Sequence, residues 1–192
     1  MFYRLLSVVM VAALASPLAG CVGAFVAGTA AGASVASDRR TAGAVLDDQT
    51  IEIKAMEAIY DDSELYNSTH VSVTSFNKIV LLTGEAPTAE LRSRAEAKVA
   101  ALPDVRHIYN EIAIAEPSSL ASRSKDALIT TKVKSAMLTR DTNVAFHVKV
   151  VTERGTVYLM GLVYRAEGDT AADVARRVGG VQTVVKLFEY LD

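Results

Sequence analysis

The sequence of 192 residues has no tryptophan, a single cysteine and few aromatic residues, which make up 6% of the chain. The lone cysteine, Cys21, has no partner in the chain, so no internal disulfide holds this fold together. The shortage of aromatic side chains argues against an aromatic-lined cofactor pocket or a base-stacking platform. The formal net charge is only −2, so the chain lacks the strong positive field that nucleic-acid binding proteins use.

Recognisable catalytic motifs are also missing. His70, His107 and His147 are too widely spaced to suggest a zinc site, and no second cysteine is present to help. The chain contains no nucleophile elbow, Walker loop or dinucleotide-binding glycine motif. Asp47 and Asp48 are adjacent, and neighbours in sequence do not face each other on a helix. We therefore expect a protein that is not an enzyme and that holds neither a metal nor a soluble cofactor.

The N-terminus has the zones of an export signal. Arg4 supplies a positive charge, Leu5 to Leu18 form an apolar run, and small residues lead into Cys21. Residues 1–20 are therefore interpreted as a signal peptide. The alternative is a membrane-spanning helix over residues 5–32, since the apolar stretch reaches the required length of about 20 residues. Several glycines within that stretch weaken such a helix.

The four residues that end this signal, Leu18-Ala19-Gly20-Cys21, resemble the lipobox of bacterial lipoproteins. The resemblance implies cleavage before Cys21 and a covalent diacylglycerol and N-acyl chain on that residue. Val22 follows the cysteine where an aspartate would imply retention in the inner membrane. The small and apolar residues that come next predict a flexible tether up to residue 45. A helix-packing motif, Gly28-x-x-x-Gly32, is the alternative interpretation.

The rest of the chain is an internal repeat. Asp48 aligns with Asp126 at a shift of 78, and Gly84 aligns with Gly161 at a shift of 77. Val105 aligns with Val181 at a shift of 76, so one residue is lost in a loop at each step. Two copies of a module of roughly 70 residues are the simplest interpretation.

Hydrophobic periodicity predicts the order α-β-β-α-β in each copy. The first helix has apolar residues at i, i+4, i+7 and i+8, which are Ile51, Ala55, Ala58 and Ile59 in copy one and Ile129, Val133, Ala136 and Met137 in copy two. Alternating and continuous apolar runs joined by a short polar turn then predict a β-hairpin. The predicted fold class is therefore α+β, with a small three-stranded mixed sheet covered by two helices in each module.

Two such modules behind a lipobox, together with segments such as Asp38–Asp48, Ile129–Lys134 and Leu159–Val163, resemble the dual-BON-domain outer-membrane lipoproteins of the DolP type. The resemblance covers essentially the whole mature chain. It implies a non-enzymatic protein, anchored in the outer membrane and facing the periplasm. It also implies that the second module binds anionic phospholipid and that the protein supports outer-membrane integrity.

The predicted organisation has five parts. They are a signal peptide (1–20), a lipidated N-terminus and tether (21–45), BON domain 1 (46–115), a linker (116–123) and BON domain 2 (124–192). The charge differs between the two domains. Residues 46–115 contain 6 Lys/Arg and 12 Asp/Glu, a formal charge of −6, whereas residues 124–192 contain 10 and 8, a formal charge of +2. The second domain is therefore the one suited to an anionic surface.

Helical geometry places five residues of the second domain's first helix away from its core face. These predicted phospholipid-binding residues are Lys125, Leu128, Thr131, Lys132 and Ser135. A surface leucine beside lysines suits an interface where the apolar side chain enters the headgroup boundary and the lysines meet anionic lipid. An ordinary solvated helix with one exposed leucine is the alternative.

Two other functions fit the same sequence. In one, the chain is an adaptor whose acidic first domain or sheet edge docks onto outer-membrane assembly proteins. In the other, it is a structural spacer that binds neither lipid nor protein. The predicted partner is an anionic phospholipid membrane, with assembly proteins as the alternative and no nucleic acid.

Overall fold

The computed structural model describes residues 38–192, in which each sequence repeat forms one α+β module. The first module consists of α1 (Ala42–Tyr60), α2 (Ser63–Ser68), β1 (His70–Phe76), β2 (Ile79–Ala86), α3 (Ala89–Ala100), β3 (His107–Asn110) and β4 (Ala113–Ile114). The second consists of α4 (Leu120–Arg140), α5 (Thr142–His147), β5 (Val148–Glu153), β6 (Thr156–Val163), α6 (Arg165–Arg176) and β7 (Thr183–Tyr190). The predicted fold class is confirmed.

Both sheets have the predicted mixed topology. β1 and β5 pair antiparallel with β2 and β6, which are the central strands. The central strands pair in parallel with the closing strands, β3 and β4 in the first sheet and β7 in the second. The closing strand of the first module is interrupted between β3 and β4, where the side chain of Ile112 turns into the core. Each hairpin is thus tied to the element that closes its module.

Each module has a hydrophobic core between one face of its sheet and its helices. On α1 the predicted core residues Ile51, Ala55 and Ile59 are buried, and on α4 the residues Ile129, Val133 and Met137 are buried. Alternate residues of the central strands, such as Val80 and Leu82 or Val157 and Leu159, complete these cores. The helical period in the sequence therefore identified the packed face of both first helices.

The opposite faces of the two sheets meet in a third hydrophobic cluster. It is formed by Phe76, Ile79, Leu81, Tyr158, Met160 and Leu187, which come from both modules. Because successive residues of a strand point to opposite faces, a strand buried on both faces is apolar at every position. This arrangement explains the unbroken apolar runs of β2 and β6. The helices of each module lie on the side of the sheet away from this cluster.

Polar contacts reinforce the junction between the modules. Lys149 Nζ donates to Glu52 Oε1 at 2.8 Å and to the carbonyl oxygen of Ser75 at 3.1 Å. The Asn77 side-chain amide donates to Glu189 Oε2 at 2.7 Å. These bonds join β5 to α1 and the first hairpin turn to β7, so they restrict sliding of one sheet over the other.

The first helix of the first module starts before the predicted boundary between tether and first domain. Residues 38–45 were expected in the tether, but α1 already starts at Ala42 with Thr41 as its N-cap. Arg40 donates to both Asp38 and Asp48, and Arg39 forms a bidentate pair with Glu167 at 2.6 and 2.7 Å. These arginine–carboxylate pairs account for the order, because bidentate geometry is specific as well as favourable.

Two further differences concern short segments. The helices α2 and α5 were not predicted, because each has only six residues and one buried side chain, Leu65 or Val144, and so shows no periodicity. The predicted linker at 116–123 is shorter in the structure. α4 begins at Leu120, and the Ser119 hydroxyl caps it by accepting the N–H of Ser122.

A buried aspartate of the first helix holds the hairpin turn in each module. Asp48 accepts the backbone N–H groups of Asn77 and Lys78, both at 2.7 Å. Asp126 accepts those of Arg154 and Gly155, at 3.1 and 2.8 Å. All four turn residues have positive φ, between 49° and 74°, as the central residues of type I′ turns do. The two aspartates are equivalent in the repeat and serve the same purpose.

We expect Asp48→Ala to lower the free energy of unfolding by about 3 kcal/mol, because buried donors lose their acceptor and Arg40 loses one of its two carboxylate partners. Asp126→Ala should cost less, about 2 kcal/mol, since only two N–H groups depend on it. Urea unfolding of residues 37–192, which form one compact unit, measures both values. Asp47→Ala is the matched control, and a loss as large as that of Asp48→Ala would contradict this interpretation.

Candidate functional site

The outward face of α4 presents all five predicted phospholipid-binding residues to solvent. Lys125, Leu128, Thr131, Lys132 and Ser135 are exposed, and Leu128 keeps 60% of its accessible surface. The Thr131 hydroxyl donates to the carbonyl oxygen of Ala127 within the helix, so this side chain offers mainly its methyl group outward. The structure therefore places the five residues on one accessible surface. Whether they bind lipid remains a prediction.

Beside this face lies an open groove of about 720 Å³, here called the α4 groove. The N-terminal half of α4, the turn between β5 and β6 and the loop before β7 line it. Its lining includes Lys125, Leu128, Lys132, Arg154, Gly179 and Gly180. Sequence reasoning named the first three of these residues. It missed Arg154 and the two glycines, which only the fold brings beside α4.

The α4 groove is cationic. Among residues 38–192, neither Lys125 nor Lys132 forms an ion pair. Arg154 lies 3.6 Å from a carboxylate oxygen of Glu85, which is too far for a hydrogen bond. The one carboxylate in the lining, Asp126, accepts two backbone N–H groups of the hairpin turn. Lys125 and Lys132 are thus available to an anion entering the groove, whereas the charge of Arg154 is shared with Glu85.

The equivalent place in the first module is nearly closed. Residues at matching repeat positions, among them Asp47, Thr50 and Lys54, line a pocket of only about 30 Å³. Lys78 pairs with two acidic residues of this lining, its Nζ lying 3.0 Å from Asp47 and 3.4 Å from Asp104. Lys78 is therefore neutralised within the protein, whereas Lys54, at the position of Lys132, forms no ion pair among residues 38–192.

The two modules have different residues in the loop before the closing strand, and this difference explains why one groove is open and the other is not. In the first module, Pro103 and Asp104 occupy the positions that Gly179 and Gly180 have in the second. Their side chains take up space that the two glycines leave free. Gly180 has a φ of 106°, and a Cβ there would come within 3.1 Å of the Ile129 side chain. A side chain at this position would therefore be strained and would press on Ile129.

A cluster of titratable groups lies where the two modules meet, next to the α4 groove. Glu85 is fully buried, and its Oε2 accepts the backbone N–H of Ser118 at 3.1 Å and lies 3.5 Å from His70 Nδ1. Burial, followed by the charge of Arg123, lowers the pKa of His70, so its imidazole is neutral at pH 7. The pKa of Glu153 is raised to about 7, first by burial and then by the charges of Glu85 and Asp126.

Within residues 38–192 no group of three or more His, Cys, Asp or Glu side chains is arranged to hold a metal ion. In the same range no helix is both long and apolar enough to cross a membrane. The imidazole of His107 packs edge-on against Tyr109 with ring centres 4.5 Å apart, and His147 is the last residue of α5. Cys21, the predicted acylation site, lies outside the described residues.

Comparison with known families identifies the class of protein. The BON-domain model matches the chain twice, at residues 47–116 and 125–192, which correspond to the two modules. The chain therefore belongs to the BON-domain family. Its two tandem BON domains are of the DolP type.

Three relatives illustrate this membership. The outer membrane lipoprotein DolP of Haemophilus influenzae is 39% identical over 175 residues, which are 91% of each chain. The 21 kDa hemolysin of Actinobacillus pleuropneumoniae is 38% identical over 154 residues, 80% of this chain and 79% of the relative. Osmotically-inducible protein Y of Escherichia coli K12 is 30% identical over 161 residues, 80% of this chain and 78% of the relative.

The raised pKa of Glu153, which is half-buried at the junction, predicts a pH-dependent stability. Because the pKa of Glu153 is about 7 in the folded protein and near 4.5 when unperturbed, folding takes up a proton between these values. Stability from this group is full below pH 4.5 and is lost as the pH rises through 7. Glu153→Gln should therefore melt at a higher temperature than the parent at about pH 8, with the gap closing by about pH 5.

Thermal melts of residues 37–192 across this pH range measure the effect. Glu90→Gln, on the surface of α3, is the control and should melt like the parent at every pH. Equal melting temperatures for Glu153→Gln and the parent at alkaline pH would show that the glutamate is not destabilising.

Proposed function

We propose that this protein is an outer-membrane lipoprotein, anchored by acyl chains on Cys21 and facing the periplasm, whose second BON domain binds anionic phospholipid. In this way it supports the integrity of the outer membrane. The observation that carries the proposal is the cationic α4 groove, which is open in the second domain and nearly closed at the equivalent place in the first. Catalysis, a metal and a soluble cofactor have no part in it.

Two kinds of interaction favour an anionic membrane at this surface. Lys125, Lys132 and Arg154 can meet lipid phosphates, and each basic residue near such a surface contributes about 1 kcal/mol. Leu128, which is largely exposed, gains about 2 kcal/mol when it is fully buried among acyl chains. Together these free-energy contributions suit reversible adsorption to the membrane. Thr131 and Ser135 extend the same face along the helix.

The first domain is not suited to this role. Asp47 occupies the position of Lys125, and Thr50 occupies that of Leu128. With a formal charge of −6, the domain repels an anionic surface. The proposal therefore assigns lipid binding to one of two otherwise similar domains.

Two observations support the anchor and the location. Leu18-Ala19-Gly20-Cys21 resembles a lipobox, and the relative from Haemophilus influenzae is named an outer membrane lipoprotein. An acylated N-terminus would hold the BON domains close to a membrane and raise the local concentration of lipid around the α4 groove.

Co-sedimentation of residues 37–192 with vesicles tests lipid binding, since this fragment lacks the anchor that would itself carry the protein into the pellet. We expect it to pellet with phosphatidylglycerol-containing vesicles and to stay in solution with purely zwitterionic ones. The double variant Leu128→Asp, Lys132→Glu should lose binding because it removes the inserting side chain and reverses a charge. Higher salt should weaken the parent's binding through screening.

Thr50→Asp, Lys54→Glu is the matched control, because it makes the same substitutions at the equivalent positions of α1. It should pellet like the parent. The lipid proposal is wrong if the unmodified fragment stays in solution with both kinds of vesicle, or if the control loses binding as completely as the α4 variant.

Exchanging one charge between the repeats distinguishes binding by the α4 groove from binding that depends on net charge alone. Lys125→Asp should weaken binding to anionic vesicles by about tenfold or more, because it removes one favourable and adds one unfavourable charge. Asp47→Lys, the reverse exchange in α1, should not create a comparable site, since the groove there is nearly closed. If Asp47→Lys strengthens binding by as large a factor as Lys125→Asp weakens it, binding depends on net charge alone. That result would contradict a specific role for the α4 groove.

A further inference from the structure

α1 is apolar on two opposite faces. One face packs into the core through Ile51, Ala55 and Ile59. On the other side Leu46, Ile53 and Tyr60 recur every seven residues and keep 63%, 68% and 49% of their accessible surface. A helix at the surface of a globular domain needs only one apolar face. The second face is therefore not explained by the fold.

The outer residues form one continuous surface. Seven residues are close to two helical turns, so the three side chains lie nearly in line over about 21 Å of the axis. Tyr66 of α2 extends the line, because its ring, 60% exposed, packs edge-on against Tyr60 with centres 5.5 Å apart. These four residues are called the α1 stripe. Single exposed apolar residues are common, but a row of four marks an interaction surface.

Acidic side chains flank the stripe. Glu57 lies between Ile53 and Tyr60 on the same face, and Asp61 follows at the end of the helix, both of them exposed. They belong to the domain whose formal charge is −6. A surface of this kind is complementary to apolar residues bordered by lysine or arginine, and exposed tyrosine rings can also accept a cation on their faces.

The repeat shows that the stripe does not follow from the fold itself. On α4 the positions of Leu46 and Ile53 are occupied by Ser124 and Thr131. The positions of Glu57 and Asp61 are likewise uncharged in α4, where they are Ser135 and Thr139. The same helix on the same scaffold therefore carries an apolar and acidic surface in one domain and a cationic surface in the other.

We infer that the α1 stripe binds a cationic amphipathic helix of another protein. Pairing of two helices would set apolar residues of the partner against the stripe and its basic flanks against Glu57 and Asp61. An anionic membrane is repelled by these carboxylates. A second copy of this chain would bring the same two acids from each molecule onto one face, and like charges at an interface are unfavourable. This function is separate from lipid binding by α4.

A synthetic helix of about 18 residues, long enough to cover the stripe, serves as the probe. It carries leucines along one stripe and lysines on both flanks, and a second peptide has glutamates in place of the lysines. Fluorescence anisotropy of the labelled peptides with residues 37–192 measures binding. We expect the lysine peptide to bind and the glutamate peptide not to bind, with affinity falling as salt rises.

Variants locate the binding surface. Ile53→Gln, Tyr60→Gln should weaken binding of the lysine peptide by about tenfold or more, as loss of central apolar contacts does. Glu57→Lys, Asp61→Lys should weaken it similarly. Thr131→Gln, Leu138→Gln changes the equivalent positions of α4, and Asp169→Lys, Asp173→Lys makes the same change in net charge on α6. Both controls should bind like the parent, and circular dichroism verifies that every variant is folded.

The inference is overturned if the lysine peptide does not bind, if both peptides bind alike, or if the controls weaken binding as much as the stripe variants do. It is also overturned if sedimentation velocity shows a dimer that Ile53→Gln dissociates, because the stripe is then occupied by a second copy. Vesicle binding is measured in parallel. A stripe variant that pellets normally with anionic vesicles shows that the two surfaces act independently.

Discussion

The interaction on which both domains depend is the hydrogen bonding of a buried aspartate to the N–H groups of a hairpin turn. Asp48 and Asp126 each join the first helix of a domain to the tight turn of its hairpin. Because the turn residues adopt positive φ, their N–H groups point towards the helix, and an unpaired donor there would be costly. The bond therefore fixes where the helix crosses the sheet. That position in turn determines which residues of α1 and α4 face outward.

The two domains share this arrangement of first helix and hairpin, but their surfaces differ. The space beside the first helix is closed by Pro103, Asp104 and an ion-paired lysine in one domain and left open by two glycines in the other. A cationic groove and an apolar acidic stripe can therefore coexist on equivalent helices, because side chains on the outer face are not constrained by packing.

The contact between the sheets orients both surfaces. The third hydrophobic cluster lies between the sheets, and the helices are on their far sides. The outer faces of α1 and α4 consequently stay accessible when the domains pack together, while the α4 groove borders the junction. At the junction, Glu85 is buried and Glu153 is half-buried beside the α4 groove, so a proton taken up by Glu153 near neutral pH would change the charge close to the candidate lipid site.

The sequence alone determined the duplication and the order of the main elements. It also determined the core face of each first helix and the five outward residues of α4, because hydrophobic periodicity indicates directly which side of an element is packed. It also indicated the family, which the comparisons confirmed. The short helices α2 and α5, the order at residues 38–45 and the contribution of Arg154, Gly179 and Gly180 to one groove were decided by tertiary structure. These features depend on residues far apart in the chain, and no local pattern records which distant segments will meet. The same holds for the neighbours of Glu85 and Glu153, since the pKa of a carboxyl group depends on what surrounds it in space.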